Sequence, residues 1–418
     1  MEYIQRDTYL RRLVNSMNNQ EIKIITGPRR SGKSWLLSHI FYDYLRNKNV
    51  PEENIIHISF DIDDENTHED LTSSQALKDY LYTRIKDAQQ SYYVMLDEVQ
   101  EVDNFEKIVN GLNNHPNVDV YITGSNSHFL SSDINTIFRG RGEEIHIYPL
   151  SFQEFCYNRE ESIHELWKEY YTYGGLPAVL HYNQPEQKIN YLQRLWQKTY
   201  IADIIDRHSV QKKEVLEALA DVLCSSVGSL TNPHKLAKTI QSVMHINVDN
   251  ETVATYLQYM TDAYLFDEAK RYNIKGKRYF ESIKKYYSID IGLRNARLNY
   301  RQQEMSHIME NIIFNELKIH GFSVDVGVVQ IRENKNNVVT QTQYEVDFIA
   351  TNGLQKLYIQ SAYHIDTEEK KEQELKSLQK INDSFQKIVI LSDDIVPYAD
   401  EQGVVYMGLF HFLLKFLH

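Results

Sequence analysis

Eight consecutive residues, Gly27-Pro28-Arg29-Arg30-Ser31-Gly32-Lys33-Ser34, restrict what this chain can fold into more than any other stretch. They stand between an apolar run, Ile22-Lys23-Ile24-Ile25-Thr26, and an amphipathic segment that begins at Trp35 and reaches Arg46. The pattern predicts a strand, a phosphate-cradling loop and a helix. Gly27 and Gly32 allow the backbone to approach a polyphosphate, and the loop N–H groups converge on it at the positive end of the helix dipole. The Lys33 amine suits the β and γ phosphates, and the Ser34 hydroxyl suits Mg²⁺. The expected ligands are ATP and Mg²⁺, with Gly27, Pro28, Arg29, Arg30, Ser31, Gly32, Lys33, Ser34 and Trp35 around the nucleotide.

A length of 418 residues fits two or three domains. The net charge of -13 argues against a chain that coats nucleic acid indiscriminately, while leaving room for a local basic face. Cys156 and Cys224 are the only cysteines, which suits a reducing compartment and excludes a disulfide framework or a cysteine-rich zinc site. No basic start followed by an apolar stretch opens the chain, and no run reaches the roughly 18 apolar residues of a membrane span. A cytoplasmic protein without membrane partners is expected.

Further strands follow the loop. Asn54 to Phe60 reads as one, and Tyr92-Tyr93-Val94-Met95-Leu96-Asp97-Glu98 as another that ends in two carboxylates. Asp97 can hold the metal, and Glu98 can orient and deprotonate the water that attacks the γ phosphate. A strand ending in two acids is common, and its position downstream of Lys33 gives the pair its meaning. Val118 to Thr123 is a further strand running into Gly124-Ser125-Asn126-Ser127, where Ser125 or Asn126 is a candidate sensor of the γ phosphate. Arg139-Gly140-Arg141-Gly142 precedes a fifth strand, and Arg139 or Arg141 is a candidate arginine finger, offered to a neighbouring subunit's nucleotide or to its own.

These motifs, with Leu96-Asp97-Glu98-Val99-Gln100 and Pro149-Leu150-Ser151-Phe152-Gln153-Glu154-Phe155, resemble those of bacterial and archaeal AAA-type ATPases that carry a C-terminal DUF4143-type domain. The resemblance spans nearly the whole chain. It implies an α/β P-loop NTPase core with sheet order 5-1-4-3-2. It also implies that Lys33, Ser34, Asp97 and Glu98 carry the ATP and Mg²⁺ roles, and that Arg139 or Arg141 matches the family's Gly-Arg segment. The domains expected are an ATPase core at 1–160, a helical lid at 161–210, a winged helix at 211–300 and a restriction-endonuclease-like domain at 301–418.

The winged helix is read from three helical patterns at 212–226, 233–243 and 249–262, followed by a strand pair around Asn273-Ile274-Lys275-Gly276-Lys277. Its wing carries Lys270, Arg271, Lys275, Lys277, Arg278, Lys284 and Lys285 against Asp267, Glu268 and Glu281, an island suited to phosphate contacts. The helix expected in the groove offers no Arg or Lys to read guanine, so DNA, a protein partner and self-association all stay open. In the last domain Asp347 and Glu310 match the acids of a nuclease, but the second motif is Gln360-Ser361-Ala362. Ala362 stands where a lysine would position the water, so the site reads as degenerate unless Lys356 or another amine reaches in. The function expected is an ATP-driven switch, with an ATP-gated nuclease or a nucleotide-binding scaffold as alternatives.

Overall fold

The computed structural model describes residues 4–60, 69–124, 138, 140–335, 338–363 and 375–418. The chain forms two compact units. One is Met1–Pro149 with Asp262–Tyr264, and the other is Leu150–Thr261 with Leu265–His418.

Alternating strands and helices give the first unit a parallel sheet of β1 (Ile22–Thr26), β2 (Ile55–Ser59), β3 (Tyr92–Asp97), β4 (Val118–Thr123) and β5 (Gly142–His146). Its order is β2-β3-β4-β1-β5, the order expected from the resemblance. β1, β3 and β4 are buried along their whole length, as their near-continuous apolar character requires of strands covered on both faces. One face packs Ile24, Val94, Leu96, Val120 and Ile122 beneath α3 (Ser74–Arg84) and α4 (Phe105–Asn113). On the other, Ile25, Met95, Tyr121 and Ile145 meet α1 (Asp7–Asn15) and α2. α2 starts at Lys33–Trp35, widens into a π turn at Leu36–Phe41 and continues as Tyr42–Asn47. The one cation inside β1, Lys23, is fully buried and paired with Asp119, which also accepts from the Tyr121 hydroxyl at 2.7 Å and the Asn18 N–H at 2.9 Å.

The second unit opens with a capping box, in which the Ser151 hydroxyl accepts from Glu154 N–H and the Glu154 carboxylate accepts from Ser151 N–H, starting α5 (Phe152–Phe155). The boundary falls at Pro149 rather than at 160 because the helix begun by this cap packs Phe152 against Trp167 and Tyr170 of the second unit. α6 (Ile163–Tyr173) and α7 (Pro185–Leu195, running on through Trp196–Ile201 into Ala202–Arg207) come next. Between them, Gly174 has φ +79° and lies so close to Asp290 that a Cβ would stand 2.2 Å from its Oδ1. Asp290 accepts from Gly175 N–H at 2.8 Å and Leu293 N–H at 2.9 Å, fixing this turn.

Three helices follow, α8 (Lys213–Ser225), α9 (Pro233–Met244) and α10 (Asn250–Asp262). The antiparallel hairpin β6 (Phe266–Asn273) and β7 (Arg278–Ser288) comes after them, with a single bridge from Thr231 to Lys284. Short α11 (Ile291–Arg297) leads to α12 (Met305–Ile319). β8 (Ser323–Lys335), β9 (Val338–Asn352), β10 (Gln355–Ala362), β11 (Gln386–Leu391), β12 (Tyr398–Ala399) and β13 (Val404–Gly408) complete the unit. The hairpin is no separate wing. β6 pairs in parallel with β8 from Arg271↔Val326 to Asn273↔Val328, so one sheet of order β12-β13-β11-β10-β9-β8-β6-β7 crosses the boundary expected at residue 300. An unpaired strand edge is costly to bury, and β8 satisfies that of β6. The sequence spacing also predicts a helix from Thr367 to Ile381, most of which lies outside the described residues. Among the described residues no helix is long and apolar enough to cross a membrane.

Candidate nucleotide site

The parallel register brings the C-terminal ends of four strands to one edge, with Ile25 beside Thr123, Thr26 beside His146, and Leu96 beside Ile122. The loop leaves β1 at that edge. Gly27 has φ +138°, and a Cβ on it would sit 2.2 Å from the Ile147 carbonyl oxygen, so only glycine lets β1 turn there. Gly32 at φ 95° is the residue from which α2 starts, and Arg30 also takes a left-handed φ of 65°. The buried Lys33 amine curls back onto its own loop, donating to the Gly27 and Pro28 carbonyls at 3.1 Å each.

β3 delivers Asp97 to the same place. Its carboxylate accepts from Thr123 Oγ1 and is 1% exposed, with the Ser34 hydroxyl and the Lys33 amine close enough to favour its charged form. Burial pushes Asp97 up to about 6; Glu98 adds to the rise, while Thr123, Ser34 and Lys33 oppose it. Glu98 follows in a left-handed backbone conformation (φ 51°), its N–H donating to Thr123 Oγ1 at 2.8 Å and its Oε2 accepting from Gln100 Nε2 at 2.6 Å. Thr123 therefore links both acids, accepting from one and donating to the other. As a site residue it was missed by sequence reasoning; the available signal was its place at the end of the strand that separates β1 from β3.

The oxygens of Ser34 and Asp97 suit Mg²⁺, a hard cation that takes oxygen ligands, because a buried carboxylate and a hydroxyl that acts on its charge are found together at this edge of the sheet. Thr26 adds a second polar cluster at the root of the loop. Its hydroxyl donates to Glu144 Oε1 at 2.7 Å and lies 2.9 Å from His146 Nδ1, so with its proton given to Glu144 it accepts from Nδ1–H. Burial raises Glu144, against the pull of that hydrogen bond.

The other sequence candidates divide. Arg29 is half-buried and Arg30 exposed within the loop. Trp35 is 45% exposed and stacks on His39 with ring centroids 3.7 Å apart. Ser125, Asn126 and Arg139 lie outside the described residues. Arg141 is at the wrong end of the sheet for its own nucleotide. Its carbonyl accepts from Ile22 N–H at 2.7 Å and its guanidinium donates to Asn114 Oδ1 at 2.9 Å. β1 separates it from the loop by five residues, roughly 16 Å at the usual strand rise.

In the second unit Glu310 of α12 and Asp347 of β9 share an amine, while Gln360 is buried in β10. That amine is Lys285 of β7, not Lys356, which lies over the rings of Tyr358 and Phe385. Lys285 Nζ is 2.8 Å from Glu310 Oε1, 2.9 Å from Glu345 Oε1 and 4.0 Å from Asp347 Oδ1. Tyr287 OH donates to Glu310 at 2.7 Å, and Ser361 N–H donates to Asp347 at 2.9 Å. Burial pulls the Lys285 amine down, but Glu310, Asp347 and Glu345 together lift it well above its ordinary range. Burial and Glu310 raise Asp347, with Lys285 opposing. Lys285 was expected on the phosphate-contacting wing; it is 3% exposed instead. Arg271 is also buried, on Gln343 and over Phe280, and Lys284 pairs with Glu268, leaving Lys270, Lys275, Lys277 and Arg278 as the exposed cations. Among the described residues no group of three or more His, Cys, Asp or Glu is arranged to hold a metal.

A strand, glycine loop and helix against an acid-ended strand, in a sheet of this order, define an AAA-type P-loop fold. Residues 19–156 match the AAA domain family, and residues 164–304 match a domain of unknown function, DUF8612, where the resemblance implied a DUF4143-type domain. Over 392 residues, 93% of each chain, the sequence is 34% identical to an uncharacterized protein of Haemophilus influenzae. It is also 29% identical over 415 residues to the uncharacterized protein MJ1544 of Methanocaldococcus jannaschii, covering 95% of this chain and 86% of that one. The chain belongs to the family of AAA-domain proteins that contains the H. influenzae protein. Among solved structures, AMPPCP-bound DnaA from Aquifex aeolicus is similar at a TM-score of 0.30 and 14% identity, covering 60% of this chain and 85% of that one. The ADP form of Aeropyrum pernix ORC2 gives a TM-score of 0.33 and 9% identity over 73% and 92%.

Proposed function

We propose that this protein is a Mg²⁺-dependent ATP-binding and ATP-hydrolysing switch. The observation that carries this reading is the convergence, at one edge of the parallel sheet, of the glycine loop with its buried Lys33 amine and the buried Asp97 at the end of β3, whose charge Lys33 and Ser34 favour. Lys33 exchanges its loop carbonyls for the β and γ phosphates, and the loop N–H groups bind the phosphate oxygens. Ser34 and Asp97 would hold Mg²⁺, which supplies charge neutralisation for the triphosphate. Glu98, steadied by Gln100, orients the attacking water and takes its proton, while Thr123 fixes both acids. Arg141 is suited to act only on a neighbouring subunit's nucleotide.

Three helices, the Thr231–Lys284 bridge and the hairpin support a winged-helix module whose exposed tip cations suit DNA phosphates or an acidic protein surface. Lys285 favours a nuclease-like domain that binds rather than cuts. Its ammonium sits between the acids, where a catalytic cation would have to bind.

Phosphate release by the full chain tests the switch. Lys33→Ala should lose ATP binding. Glu98→Gln should still bind ATP but turn over at least about tenfold slower, since a general base supplies roughly 10²–10⁴ in rate. Full turnover in Glu98→Gln removes Glu98 from that role, and Mg²⁺-dependent cutting of a plasmid that disappears in Asp347→Ala replaces the non-cutting assignment.

A further inference from the structure

Arg6 lies in no motif, and its side chain is 6% exposed. Its guanidinium donates to the Ser31 carbonyl at 3.3 Å and to the Tyr148 carbonyl at 2.6 Å, and it rests 4.6 Å above the ring of Tyr9. Tyr9 completes the arrangement by accepting from Tyr148 N–H at 3.1 Å. The backbone of Arg6 has a left-handed φ of 51° where it starts α1, a conformation uncommon outside glycine that persists only where the surroundings hold it.

Ser31 is the loop residue immediately before Gly32. In a planar trans peptide the C=O and the following N–H point in opposite directions. A guanidinium that holds the Ser31 carbonyl therefore turns the Gly32 N–H away from Arg6. The same side chain grips the Tyr148 carbonyl, two residues past the end of β5.

We propose that Arg6 is a positioning residue for nucleotide binding: it presets the Ser31–Gly32 peptide for a phosphate and ties the loop to the exit from β5. This rests on the ATP reading of the loop. Charge-assisted hydrogen bonds of this kind are worth about one to two decades in affinity.

The test measures KM and kcat for ATP by phosphate release, the affinity of a fluorescent ATP analogue, and nucleotide-free thermal melting, on the full chain and its Arg6→Met and Arg6→Lys variants. Arg6→Met should raise KM and weaken analogue binding about 10–100-fold, with kcat at saturating ATP within about threefold of wild type. Arg6→Lys keeps the charge but not the two-pronged geometry and should fall between. An unchanged KM in a folded Arg6→Lys or Arg6→Met chain, with or without a lower melting temperature, overturns the proposal and leaves the ATP reading standing. Failure of wild type itself to bind the analogue removes the ATP reading and this role with it.

Discussion

At the scale of single residues, the buried carboxylates set how this protein responds to pH. Glu316 is fully buried, and burial pushes it up to about 8; it accepts from Phe152 N–H at 2.6 Å, and Glu154 adds to the rise. His320 Nδ1 lies 4.0 Å from its Oε2, and Asp290 is likewise pushed up to about 6 by burial. A carboxyl whose folded value exceeds its unfolded value keeps its proton in the native state after the unfolded chain has lost its own. Stability then falls as pH rises, from the ordinary carboxylate range through about 8 for Glu316, and levels off above it. Glu316→Gln keeps an acceptor for Phe152 N–H and removes that titration. Urea unfolding at roughly pH 5 and pH 9 should show a smaller loss across the interval in the variant than in wild type. An unchanged loss would show that Glu316 is already ionised in the fold.

Elements explain why some sites could be read in the sequence and others could not. The phosphate loop was legible because its chemistry is local: two glycines, an amine and a hydroxyl in one run, with a strand before and a helix after. Asp97 and Glu98 were legible from their place at the end of an apolar strand. Lys285 was not. A count of charges along residues 270–285 cannot tell which side of β7 each side chain faces, and neighbours on a strand point to opposite sides. Lys284 is half-buried against Glu268, while Lys285 and Tyr287, two residues apart on one side, both reach Glu310. Removing the amine leaves three acids facing one another. Lys285→Met should destabilise the protein by about 3–5 kcal/mol, the usual cost of breaking a buried ion pair. Chemical denaturation checks this, and a loss below about 1 kcal/mol would mean the acids shed their charge by taking up protons instead.

For the whole molecule, the order of the first sheet followed from the resemblance, whereas the division of the chain did not. A domain edge at residue 300 fits the run of predicted elements, but pairing between β6 and β8 joins segments more than 50 residues apart, and no periodicity announces it. A chain ending at residue 300 would expose the edge of β6 and strip Lys285 of Glu310, Glu345 and Asp347. It should aggregate or fail to show a cooperative melt, whereas a piece covering residues 150–418 should unfold in one transition. A cooperative, monomeric melt of the shorter piece would show that the hairpin needs no sheet.

The hairpin's attachment also has a mechanical side. Its exposed tip, with Lys275 and Lys277 in the turn and Arg278 at the start of β7, runs directly into the strand whose buried root carries Lys285 and Tyr287. A load taken up at the tip would therefore pass along β7 to the charged cluster at its base.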